Sequence, residues 1–240
     1  MHAPRAVTRN LVLRSLSSDD LAILEPHLHA VPLRRRMPIT TANTPVAQVY
    51  FPTDGIASVV ARSADGTEIE IGLIGRDGVA PCSTLLGANT YPYDIFVQIE
   101  GEALTMSAPL LQEVMRDSQG VREALQRYAM AFLTQTTSTV ISNSNHPIEQ
   151  RLARWLLMCH DRLSGDEIEI THDFIAMMLS IRRASVTVAL HTLEGMGAIR
   201  STRGLLKVLD RGRLIELAGE AYGQAEAEYR KLVGPFPAEA

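Results

Sequence analysis

Between Leu33 and Met106 apolar residues recur at every second position. Val49 and Phe51, then Ile56, Ser58 and Val60, then Ile69, Ile71 and Leu73 set against Glu68, Glu70 and Gly72, carry the period of two expected of half-buried strands. Turn signals interrupt these runs at Pro52-Thr53-Asp54-Gly55, Asp65-Gly66, Arg76-Asp77-Gly78 and Glu100-Gly101. Short strands broken this often predict an all-β roll or barrel rather than βαβ units. Ahead of them, Ser17-Ser18-Asp19-Asp20 before Leu21, Leu24 and Leu28 predicts a short N-capped helix that ends near Pro32.

After Pro109 the period changes to that of helices, first over Leu110 to Arg116 and then from about Val121 to Ser142, a stretch without Pro or Gly. Val121, Leu125, Tyr128 and Phe132 line one face of the longer helix, and with Gln135 they offer a seam for pairing with a second copy. The other reading of the same face is packing on the chain's own β-roll. Asn143-Ser144-Asn145-His146-Pro147 is a polar break and marks a hinge. Beyond it come a helix from Ile148 to about Arg162, bearing Leu152, Trp155, Leu156 and Cys159, a stop at Ser164-Gly165-Asp166, and a short strand at Ile168 to Ile170. The end reads as one amphipathic helix from Leu214 to Leu232 and a frayed, Pro-containing tail. The expected fold class is α+β: a β-roll sensor domain over 1–120, a central dimerisation helix and hinge over 121–145, and a winged helix-turn-helix domain over 146–240.

The last of these carries the chemistry. Thr171 is a good N-cap for a helix through Met178, and Ala176 is small where a second helix would cross. Leu179-Ser180-Ile181 forms the turn. Arg182 to Glu194 is then a second helix, with Val186, Ala189, Leu190 and Leu193 inward and Arg183, Thr187 and His191 outward. Such a helix fits the major groove, where Arg183 pairs with guanine and Ser185 or Thr187 bonds a base or phosphate. The Gly195-Met196-Gly197-Ala198-Ile199 turn and the hairpin through Arg200, Ser201, Thr202 and Arg203 make a wing that holds phosphate. An Arg182-Arg183 pair alone reads more readily as a solvated surface. Capped helix, turn, helix and basic hairpin in succession favour the nucleic-acid reading.

The formal charge of −4 over 240 residues argues against a uniformly basic binder, yet Arg182, Arg183, Arg200, Arg203 and Lys207 face only Glu194 in their stretch. Asp77 to Met115 has no Lys or Arg. A local basic surface on an acidic chain suits duplex DNA. With 46% hydrophobic and 21% charged residues, the chain has material for two modest cores. No apolar run reaches a membrane span, and Met1 to Asn10 lacks a secretory apolar region, so a cytoplasmic, non-membrane protein is expected. Two separated cysteines, Cys82 and Cys159, make neither a disulfide framework nor a cluster or zinc site; Cys82 reads as a buried thiol or a redox switch.

The run from Ile170-Thr171 through Val208-Leu209-Asp210 is similar to the DNA-binding signature of the Crp/Fnr family of bacterial transcription regulators. Val49-Tyr50-Phe51 through Gly75-Arg76-Asp77-Gly78 looks like the family's cyclic-nucleotide-binding-like β-roll. The resemblance implies a homodimer, a coiled central helix, a DNA site with two-fold symmetry and contact with RNA polymerase. By position Arg183 matches the family's guanine-reading arginine. Ala184 stands where many members have glutamate and Val188 where a second arginine occurs, so the family's usual operator does not follow; with His191 these residues form a face suited to thymine methyls.

In members that bind cyclic nucleotide, Gly-Glu grips the ribose and Arg-Ser meets the phosphate. Ala80-Pro81 and Pro92-Tyr93 occupy those places here, so cyclic AMP held in the usual way is not expected, and no cofactor is. Thr136 and Thr137 match the helix positions that approach the base, or else they face solvent or bond back to the helix. With Ile71, Leu73, Val79 and Cys82 they define a candidate pocket for an unidentified small molecule or second messenger. The absence of His from Ala30 to Asn145 argues against haem, metal and a barrel oxygenase. Two alternatives stay open: a ligand-independent regulator controlled by its abundance, and a β-roll adaptor or enzyme whose helix-turn-helix makes only protein contacts.

Overall fold

The computed structural model describes residue 7 and residues 9–236, so the reading of the start from Met1 and of the extreme tail lies partly outside the described residues. Two antiparallel sheets form the roll. One runs β1 (His29–Leu33), β7 (Gly101–Ser107), β3 (Gln48–Pro52); the other runs β2 (Pro38–Thr40), β6 (Asp94–Ile99), β4 (Ile56–Arg62), β5 (Glu68–Ile74). Two short helices precede them, α1 (Leu11–Arg14) and α2 (Ser18–Leu24), the latter capped by Ser17 through Asp20 N at 3.1 Å. The helix stops at Leu24 rather than near Pro32. Pro32 lies inside edge strand β1 opposite Glu102, where its missing N–H costs no ladder bond on the unpaired side.

Helix α3 (Cys82–Leu85) sits between β5 and β6, and α4 (Ala108–Asp117) leads into α5 (Gln119–Asn145). The 27-residue α5 lays Val121, Leu125, Tyr128 and Phe132 onto the roll, where they share a core with Val49, Phe51, Val59, Ile74, Leu104 and Met106. Leu125, Tyr128, Phe132 and Gln135 are therefore not a seam for a second copy, since all four are buried within this chain. Gln135 instead fastens the helix to the free edge of β5: its amide accepts from Leu73 N at 2.8 Å and donates to Leu73 O at 3.2 Å. The opposite face of α5 is open, with Met130, Leu133, Val140 and Ile141 between 46% and 61% exposed.

The break after α5 is confined to His146-Pro147, and α6 (Ile148–Arg162) then crosses the outer face of the four-stranded sheet. Its Leu152, Trp155 and Leu156 join Ile56, Val60, Leu73 and Ile99 of the roll in one continuous core with the C-terminal elements. Sheet β4 is consequently buried on both faces, not alternately. In β5 the parity of the sequence pattern fails at a bulge: Val59 pairs with Gly72 but Val60 with Glu70, leaving Ile71 extra. One extra residue turns the following side chains over. Glu70 thereby enters the seam at 4% exposure, while Ile69 and Ile71 are only partly covered.

Trp155 Nε1 donates to Glu70 Oε1 at 2.7 Å, whereas Glu70 Oε2 has no partner. A second buried pin joins the bodies where Arg162 Nη2 meets Asp77 Oδ2 at 2.6 Å, with the two side chains 1% and 3% exposed. The predicted terminal helix is two: α9 (Arg211–Ala218) and α10 (Gln224–Leu232), parted by a 3₁₀ turn at Gly219–Ala221 and by Gly223. Both glycines take positive φ, +50° and +114°, which ends a helix at little cost. Helix α10 folds back on α5, and Tyr229 Oη donates to Asp77 O at 2.8 Å.

Burial pushes the Glu70 carboxyl up to about 7, against the opposing pull of Ser58, Trp155, Arg154 and Arg162. A carboxyl whose folded pKa is raised binds its proton more tightly in the folded chain. Its contribution is complete below the unfolded value near 4.5 and is lost as pH rises toward 7. Glu70→Gln, which keeps the acceptor for Trp155, is expected to be the more stable protein at pH 8 by up to about 3 kcal/mol and to match wild type near pH 4. Urea unfolding of both proteins across that range measures the difference.

Candidate nucleic-acid interface

The C-terminal domain builds its surface from two crossed helices and a hairpin. Helix α7 (His172–Leu179) starts where Thr171 Oγ1 accepts from Phe174 N at 3.3 Å. It stops at Ser180, which takes the left-handed conformation (φ 50°), with Ser180 N on Met177 O and Ile181 N on Ala176 O. Helix α8 (Arg183–Gly195) leaves this turn at 104° to α7. Val186, Ala189, Leu190 and Leu193 are buried, which fixes the rotation of α8 and puts Arg183, Ala184, Val188 and His191 outside. Among the described residues no single helix is long and apolar enough to cross a membrane. The one bent pair that passes on composition is α7 with α8, whose apolar side is this core.

The wing is β9 (Ile199–Thr202) and β10 (Leu205–Val208), joined through Arg203 and Gly204 and extended by β8 (Glu167–Glu169) on the other side of β10. Gly204 turns at φ +80°. Glu194 ties helix to wing by accepting from Ser201 N at 2.6 Å, and His191 lies 3.4 Å from the same carboxylate. Between α8 and the wing runs an open groove of about 590 Å³ lined by Thr171, His172, Asp173, Arg183, Thr187, His191, Thr202 and Arg203, among others. Arg183 Nε is held 2.9 Å from Asp173 Oδ1, and both side chains remain largely exposed.

The nine residues singled out from sequence thus divide. Arg183, Thr187, His191, Thr202 and Arg203 line the groove. Val188 is 62% exposed on the outer face of α8, and Arg200 is exposed on the wing. Arg182 and Ser185 lie instead in a second cleft shared with Thr67 and Glu68 of the roll. Arg182 is the N-cap of α8 without a side-chain cap bond, so the first amides of the helix stay available to an anion. Sequence reasoning missed His172 and Asp173; the N-cap signal at Thr171 places both in the first turn of α7, facing the second helix.

The candidate effector residues do not converge. Leu73 belongs to the core under α6, whereas Val79 and Cys82 belong to the core under α5. Ile71 is the bulged residue, and Thr136 and Thr137 both donate back to Leu133 O at 2.8 and 2.9 Å. A single pocket cannot be lined by side chains packed into two separate cores and the outside of a helix. Burial pushes the Cys82 thiol up to about 12, the opposite of what a reactive thiolate needs.

Residues 150–217 match the family model of the Crp-like helix-turn-helix domain. The chain has the fold of solved Crp/Fnr regulators. FixK2 from Bradyrhizobium japonicum superposes with a TM-score of 0.69 at 17% identity, over 80% of this chain and 98% of that one. A CRP-family transcriptional regulator from Thermus thermophilus gives 0.65 at 19% identity, over 79% and 96%. The c-di-GMP-responsive global regulator CLP of Xanthomonas campestris gives 0.63 at 16% identity, over 80% and 99%. A comparison with curated proteins finds no match. The fold is therefore the one these solved proteins share, with the helix-turn-helix in the residues that the family model matches. Thr171→Ala removes the cap of α7 and is expected to lower stability by about 1 kcal/mol, read as a reduced urea midpoint with unchanged slope.

Proposed function

We propose that this chain, built as a Crp/Fnr-type regulator with a Crp-like helix-turn-helix, binds duplex DNA as a homodimer and thereby regulates transcription in the bacterial cytoplasm, in contact with RNA polymerase. The observation that carries this reading is the groove between α8 and the wing. It sets Arg183 on the helix opposite Thr202 and Arg203 on the wing, in a chain whose net charge is −4. Helix α8 supplies the reading face, with Arg183 for a guanine and Ala184, Val188 and His191 for less polar base edges. Arg200, Arg203 and the uncapped start of α8 near Arg182 and Ser185 supply phosphate contacts. Arg183 arrives paired with Asp173, which prepositions it and is exchanged for the base on binding.

Pairing of two copies uses the open face of α5. Gln126, Met130, Leu133, Thr137, Val140 and Ser144 recur at spacings of four and three, the period of a coiled-coil seam, and its large apolar members are exposed in the single chain. Two α8 helices related by that two-fold would address half-sites about 34 Å apart.

Control by an effector on the roll is the less favoured version, because the interior is filled: Phe51, Val79 and Leu85 are at most 1% exposed, and Ala80 is bonded backbone to backbone with Tyr50. The same packing favours a regulator that needs no small molecule, and it speaks against cyclic AMP in the usual mode. Isothermal titration with cyclic mononucleotides and cyclic di-nucleotides separates the two, with no heat expected from cyclic AMP.

Arg183→Ala is expected to cost about 1 to 3 kcal/mol on the selected site and to relax choice at one base pair, whereas Arg203→Ala weakens all duplexes alike. Equal losses on specific and random DNA for both variants would contradict these roles. Leu133→Asp with Val140→Asp is expected to give a folded monomer by sedimentation, with site-specific binding lost.

A further inference from the structure

Beyond the residues of the Crp-like domain, the segment 219–236 returns to the roll. Tyr229 and Phe236 are buried in the same core as Phe51, Ile74 and Leu104, so the end of the described chain completes the core of its first domain. Their rings meet edge-on with centroids 5.2 Å apart. Tyr229 Oη holds Asp77 O, and on the outer flank Arg127 Nε of α5 donates to Leu232 O at 3.0 Å. The start of the segment is fastened to the helix-turn-helix domain. Gln150 Nε2 of α6 donates to Ala218 O at 2.9 Å, and Tyr222 Oη donates to Asp161 Oδ2 at 2.7 Å. Glu220 lies 3.5 Å from His146 Nε2, so the return also touches the hinge.

The same segment covers the pin between Arg162 and Asp77. The Phe236 ring faces the Arg162 guanidinium, its centroid 5.8 Å from Cζ, and Asp77, Arg162, Glu226, Tyr229 and Phe236 line one small space. With this cover lifted, the pin becomes a hydrated pair, which fixes the spacing of two bodies far less firmly. The helix-turn-helix domain is thus held at both ends, by the hinge at His146-Pro147 and by the return. A domain held at one end turns about its hinge. One held at both turns only when a hold is released.

What the hold preserves is decided on the other side of the domain. Arg183, Val188 and His191 are exposed, and the groove between α8 and the wing is open, so the held arrangement leaves the reading face free. An autoinhibitory contact would cover that face. We propose that residues 219–236 are a clasp that locks the helix-turn-helix domain to the roll in its DNA-reading arrangement, so that this arrangement is built in rather than imposed by a bound small molecule. The proposal rests on the DNA-binding reading above and adds the device that keeps the domain oriented. An unclasped chain occupies the reading arrangement only part of the time, and its apparent affinity for DNA falls by that fraction.

The test uses the full-length chain and a duplex selected from random DNA by the wild-type protein. The variant Tyr229→Phe/Phe236→Ala removes the bond to Asp77 O and the ring beside Arg162, and it leaves the bare face of α5 untouched. Amide hydrogen exchange is expected to rise about tenfold in α10 and, with it, at the seam in β5 and α6, whereas β1 and β7 exchange as in wild type. Affinity for the selected duplex falls about tenfold, binding of random duplex is unchanged, and sedimentation still shows the dimer. If the double variant does not fold, Tyr229→Phe alone serves with the same readouts and a smaller shift. Faster exchange confined to α10, with the seam and the affinity as in wild type, reduces the segment to packing and overturns the proposal. Tighter binding by the variant overturns it too, since the clasp then holds an arrangement that does not read. Should wild type prefer no duplex, the regulator reading falls and takes the DNA half of this one with it. Exchange at the seam is measured without DNA and separates that failure from failure of the clasp.

Discussion

A guanidinium without access to water needs a counter-charge, and the position of the C-terminal domain follows from how Arg162 finds one. Its fork reaches Asp77 in the turn after β5, while Nη1 is held by Met158 O one helical turn earlier. Removing either partner would strand the other charge in the interior, a far larger penalty than the net value of the pair. The pair therefore fixes where α6 can lie on the roll. Gly75 records the fit, since a Cβ there would stand 2.8 Å from the Arg162 side chain. Glu70 with Trp155, and Arg154 with Thr139 at 3.2 Å, extend the same seam toward the hinge.

With the seam set, α5 has two occupations. One face is enclosed by its own roll and by α10, the other is bare. The enclosed face has the larger and more aromatic side chains, which is why it dominates the apolar pattern and why a reading of periodicity alone takes it for a subunit contact. The bare face is weaker in pattern because Gln126, Thr137 and Ser144 interrupt it, yet its spacing is regular. Competition between a domain core and an oligomer seam on one helix is decided by burial, which sequence does not display.

Much of the rest was legible in the residues. Caps at Ser17 and Thr171, the extent of α6, the order helix, turn, helix, hairpin, and the inward set Val186, Ala189, Leu190 and Leu193 are all local effects, and local effects survive into the fold. What escaped depends on distant contacts. The parity of β5 turns on a bulge at Ile71, the burial of both faces of β4 on a domain that arrives almost a hundred residues later, and the candidate pocket on which core each side chain joins. The single terminal helix that the apolar pattern suggests is two for a simpler reason: Gly219 and Gly223 both adopt positive φ.

Trp155 is the sole tryptophan of the chain, and its indole is 3% exposed inside the seam with its N–H on a carboxylate. Its ultraviolet emission therefore comes from one place, where roll and helix-turn-helix domain meet, in a setting both apolar and titratable. The molecule carries an intrinsic optical gauge of domain closure, readable without a label and silent to events elsewhere in the fold.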